Sequence, residues 1–75
     1  NMNPGVVLFH TTTAALRAEK TAQKAGLKVK LIPTPRELSS DCGIALRFDL
    51  ADRQPLEQAL SAAGVEGEFH ELKAG

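Results

Sequence analysis

Cys42 is the single cysteine of the chain, and it closes a polar stretch, Pro33-Thr34-Pro35-Arg36-Glu37-Leu38-Ser39-Ser40-Asp41, just ahead of Gly43. The chemistry open to such a residue is that of a thiolate nucleophile. Its neighbours pull in opposite directions. Arg36 can fold back toward the sulfur and favour the thiolate, whereas the adjacent Asp41 carboxylate opposes it. Pro33 and Pro35 restrict the backbone, Ser39, Ser40 and Asp41 can bond nearby amides, and Gly43 lets the chain turn close to the thiol. A connection this long in so small a domain reads as a reactive or recognition loop. The competing reading is that Cys42 only packs, as a small hydrophobe leading into a strand.

Other groups add less. His10 could act as a base toward Cys42, but no third residue completes such a pair. Thr11, Thr12 and Thr13 offer a hydroxyl cap for a helix, whose start also carries positive partial charge that suits an anion. His70 is expected on the surface, away from Cys42. No CxxC or clustered ligand spacing supports a metal, and no cofactor is expected. Ser39 and Ser40 lack a GxSxG context and read as turn formers.

These residues need elements to position them. Gly5-Val6-Val7-Leu8-Phe9-His10 reads as a buried strand. Ala14 to Ala25 reads as a helix with a narrow stripe of Ala15, Ala18, Ala22 and Ala25, stopped by Gly26. Lys28 to Ile32 alternates as a half-exposed strand. In the third strand Ile44, Leu46 and Phe48 share a core face and alternate with Ala45, Arg47 and Asp49. Asp52 is placed to cap a second helix with Pro55 in its first turn; Leu56, Ala59, Leu60 and Ala63 follow helical spacing, and Gly64 ends it. Glu66 to Leu72 reads as an acidic edge strand. The order β-α-β-β-α-β predicts an α+β ferredoxin-like plait, with both helices on one face of an antiparallel sheet in spatial order 4-1-3-2. The crossover rule then brings His10, the threonine cluster, the proline loop and the turn at Gly64-Val65 to one end of the sheet.

Composition bounds the rest. Seventy-five residues make one domain, taken as residues 2–75, because Asn1 ahead of Met2 reads as a tag remnant. Three Phe are the whole aromatic complement, so the core must be largely aliphatic and oligomerisation would supply welcome extra burial. Nine basic residues balance nine acidic ones, which argues against a nucleic-acid binder. A lone cysteine cannot form an internal disulfide, in keeping with a reducing cytoplasm, and neither a membrane span nor a signal peptide is expected.

The run from Leu31 to Arg47, with its Pro-x-Pro-Arg and Ser-Ser-x-Cys-Gly elements, strongly resembles the core of the small bacterial Se/S carrier protein-like family. Phe9, Thr11 to Thr13, Ala15, Glu19 and Lys20 extend the likeness over nearly the whole chain. The resemblance implies a cysteine that holds sulfur or selenium as a persulfide or selenosulfide. It makes Cys42 the carrier thiol, with Pro35, Arg36, Ser39, Ser40 and Gly43 as its supporting loop. Thr11 and Thr12, at the facing helix start, complete the candidate binding set. The implied partners are a donor such as a cysteine desulfurase-like enzyme and an acceptor enzyme. The alternative is a non-catalytic ligand-sensing or interaction module in which Cys42 is structural; a thiol enzyme using His10 ranks third. An exposed Cys42 would favour the carrier, and a sealed one the module.

Overall fold

A computed structural model of the chain describes residues 3–38 and 42–72. Four strands and two helices alternate: β1 (Pro4–Leu8), α1 (Thr12–Lys24), β2 (Lys30–Pro33), β3 (Ile44–Asp49), α2 (Arg53–Ala62) and β4 (Glu68–Glu71), with a 3₁₀ turn over Leu50–Asp52 leading into α2. The sheet runs in the order β2-β3-β1-β4, and every pairing is antiparallel. This is the expected plait. β3 lies between β1 and β2, as two crossovers of the same hand require.

The helices form where the pattern placed them, and their ends are set by particular groups. Thr11 is the N-cap of α1, its hydroxyl oxygen accepting from the Ala14 N–H at 3.1 Å. Gly26 and Gly64 follow α1 and α2 with φ of 79° and 71°, the left-handed turn that lets a helix stop. Asp52 holds the N-cap position of α2 but makes no side-chain cap bond. That work has moved one turn upstream, where Asp49 accepts from the Ala51 N–H at 3.0 Å and starts the 3₁₀ turn.

Three strands are shorter than their hydrophobic runs. β1 stops at Leu8 because its neighbours run out there: Leu8 faces Ala45 near the start of β3 and Glu68 at the start of β4. Phe9 and His10 leave the ladder and carry the chain to the Thr11 cap. β2 begins at Lys30, opposite Arg47, and ends on Pro33, opposite Ile44. A proline is tolerated there because β2 is an edge strand. β4 is the other edge and keeps only Glu68 to Glu71 of the predicted run.

Burial divides into two layers. Between helices and sheet lie Val7, Phe9, Ala15, Ala18, Ala22, Leu46, Phe48, Leu56 and Leu60, with Cys42 among them. Ala25 stays exposed as the C-cap residue of α1, so the alanine stripe is one residue shorter than expected. On the opposite face Val6, Leu8 and Ala45 are also buried, packed against Ile32, Leu38 and Leu72. Among the described residues no helix reaches that side. Leu38, from the proline loop, helps to cover it.

Candidate functional site

The site is built at the end of the sheet where β1 finishes and β3 begins. Leu8 lies opposite Ala45, so the Thr11 cap and Cys42 leave the sheet side by side. The contact is direct: Thr12 Oγ1 and Cys42 Sγ are 3.7 Å apart, and either group can donate. The end of α2 arrives at the same place, held by Arg17, which donates to the Ala63 carbonyl at 3.3 Å. Asn3 and Leu72 lie at the far end of the sheet, where the Leu50 N–H donates to the Asn3 carbonyl and the Leu72 N–H to the Pro4 carbonyl.

Thr34 closes the neck of the loop. Its hydroxyl donates to the Cys42 carbonyl at 2.9 Å, and its N–H donates to the Gly43 carbonyl at 3.1 Å. Further out, the Leu38 N–H donates to the Pro35 carbonyl at 3.0 Å and makes a turn that holds Arg36 and Glu37 in solvent. The loop thus straddles the sheet end. It sends Cys42 toward the helices and Leu38 over the opposite face.

Cys42 is only 3% exposed. The exposure expected of a carrier thiol is absent from this conformation. The physical reason is its company: Cys42 is a member of the main core beneath the helices, with the Thr12 hydroxyl beside its sulfur. Burial of a thiol carries little polar cost, so a cysteine at such a boundary settles inward.

The remaining candidates divide. Thr12 meets Cys42, while the side chain of Thr11 is committed to its cap. Pro35 is half-buried, and Arg36 and Gly43 are exposed on the loop. Ser39, Ser40 and Asp41 lie outside the described residues. His10 is exposed just beyond β1, and His70 is held in the middle of β4 by Glu68 at 2.6 Å, opposite Val6 and well away from Cys42. Among the described residues no three His, Cys, Asp or Glu side chains are grouped to hold a metal ion. No helix among them is long and apolar enough to cross a membrane. Sequence reasoning missed Thr34 and Leu38. The signal was present in each case: a hydroxyl between two prolines, and a lone leucine in an otherwise polar loop.

With this geometry in place, comparison with known proteins identifies the family. The family model described as "Putative Se/S carrier protein-like" matches residues 4–71, and the chain belongs to that family. No curated protein and no solved structure matches the chain.

Proposed function

We propose that this protein carries sulfur or selenium on Cys42 and hands it to a partner enzyme. The observation that carries the reading is the family match over residues 4–71, which contain a single cysteine at the base of a constrained loop. A carrier needs one nucleophilic sulfur on a rigid support and no second reacting group. Thr34, Thr12 and the sheet end supply that support.

The loading step for sulfur is a thiol–persulfide exchange. The Cys42 thiolate attacks the terminal sulfur of a donor persulfide, a new S–S bond forms, the donor's S–S bond breaks, and the donor cysteine leaves as thiolate. Release to an acceptor thiolate is the same exchange with Cys42 as leaving group. No net electrons are consumed. Because Cys42 is 3% exposed, loading requires a transient opening around the sulfur.

That burial favours a second reading, an interaction module in which Cys42 only packs. The two part cleanly by experiment. Incubation with a cysteine desulfurase and labelled cysteine, followed by intact-mass measurement, is expected to add one sulfur atom that a reductant removes. If native Cys42 stays unmodified there and resists iodoacetamide until the protein is unfolded, the module reading replaces the carrier.

A further inference from the structure

At the end of the sheet remote from Cys42, a cleft of about 180 Å³ is lined by Lys28, Lys30, Arg47, Asp49 and Asp52 beside Val29 and Phe48. We propose that this cleft binds a small oxyanion, of the phosphate or carboxylate class, through Lys28, Lys30 and Arg47. The proposal is independent of the carrier reading.

Three observations carry it. Lys30 and Arg47 are direct cross-strand partners, which puts both on the helix-free side of the sheet, and Lys28, just ahead of β2, lines the same cleft. Like charges directly opposite on a ladder destabilise it unless a counter-charge lies between them. Among the described residues no carboxylate is ion-paired with any of the three; the ion pairs found there are Arg53 with Glu57 and His70 with Glu68. Asp49 and Asp52 share the cleft, so it holds three cations against two carboxylates, and one Asp49 oxygen is turned to the Ala51 N–H. Arg47 is moreover half-buried opposite the fully buried Val6, as suits an arginine whose aliphatic stem packs while its guanidinium reaches the cleft.

The cleft also sets the ligand. Its volume of about 180 Å³ is below the ~300–1,000 Å³ range of sites for drug-sized molecules and suits a compact anion. An arginine fork matches two oxygens of a carboxylate or phosphate, with the lysines adding point charges. Asp49 and Asp52 in the wall disfavour polyphosphates and other highly charged anions.

The test is an NMR titration of the whole chain with inorganic phosphate and, separately, with acetate, each at constant ionic strength against potassium chloride. Saturable amide shifts confined to the segments around Lys28–Lys30 and Arg47–Asp49, with either anion, are the expected result; which anion binds more tightly tells tetrahedral from planar ligands. Arg47→Gln and Lys30→Gln should each weaken binding by about tenfold, the loss of one charge-assisted contact. Lys20→Gln on α1 should leave it unchanged. Should Arg47→Gln fail to fold, the exposed Lys30 and Lys28 substitutions decide. Shifts that never saturate, that spread equally to Arg17, Lys20 and Lys24, that chloride reproduces, or that survive the cleft substitutions would overturn the proposal.

Discussion

The two faces of the sheet are buried by different means. On one, α1 and α2 lay Ala15, Ala18, Ala22, Leu56 and Leu60 over Val7, Leu46 and Phe48, a layer built wholly from regular elements. On the other, Val6, Leu8 and Ala45 are sealed without a helix, and Leu38 of the proline loop takes part in the seal. A loop whose composition speaks of function therefore also does structural work, with Leu38 on one face of the sheet and Cys42 in the core on the other. Loss of a helix-side residue should act on the whole fold, whereas loss of Leu38 should act first on the loop.

The largest effect is expected on the helix side. Leu46 is 0% exposed in the centre of β3, and Leu46→Ala should cost about 2–5 kcal/mol through lost burial and the cavity left behind. Urea unfolding at unchanged m checks it. For a domain of this size that is a large share of total stability, so the variant should be partly unfolded at room temperature.

Next comes a test of packing against the same layer. Gly5 lies opposite Phe48 on the ladder, and a Cβ added there would sit 2.6 Å from Phe48 Cζ and 2.8 Å from Leu50 Cδ2. Gly5→Ala should destabilise by roughly 1–3 kcal/mol, the usual range for overpacking. A neutral result would mean that Phe48 can swing aside, and the helix-side layer would then be as adaptable as the other.

Leu38→Ala addresses the comparison directly. Leu38 is half-buried and rests on a smaller layer, so a global cost of about 1 kcal/mol is expected, below that of Leu46→Ala. The local consequence is the informative one. Weakening the dock by that amount raises the undocked population about fivefold, and iodoacetamide should modify Cys42 faster by a similar factor. Equal stability losses for Leu38→Ala and Leu46→Ala would erase the distinction between the faces.

The helix-covered face was legible in the sequence and the other was not, for a physical reason. Ile44, Leu46 and Phe48 alternate with Ala45, Arg47 and Asp49, and alternation is read as one core side and one wet side. That reading holds for Leu46 and Phe48. It fails at Ala45, which is fully buried, because the layer around it is tertiary, drawn from Ile32, Leu38 and Leu72, and the β3 pattern does not announce it. The same limit applied to the site. Element order and crossover hand were enough to bring the threonine cluster and Cys42 to one end. Whether the sulfur faced solvent depended on its packing into the main core, which no local pattern encodes.

The smallest predicted effect locates the barrier to the sulfur. Thr12 is exposed at the start of α1, and its hydroxyl lies 3.7 Å from Cys42 Sγ, a weak contact at best. Thr12→Val keeps the side-chain shape and removes that contact, so Cys42 alkylation should change by less than about threefold, as fits loss of a hydrogen bond worth ~0.5 kcal/mol. Thr12→Ser, which retains the hydroxyl, should match the parent. If instead Thr12→Val accelerates alkylation more than Leu38→Ala does, access to Cys42 is controlled at the helix start and not by the docked loop. The seal on the helix-free face would then be structural only, and the link drawn between the two faces would break at Leu38.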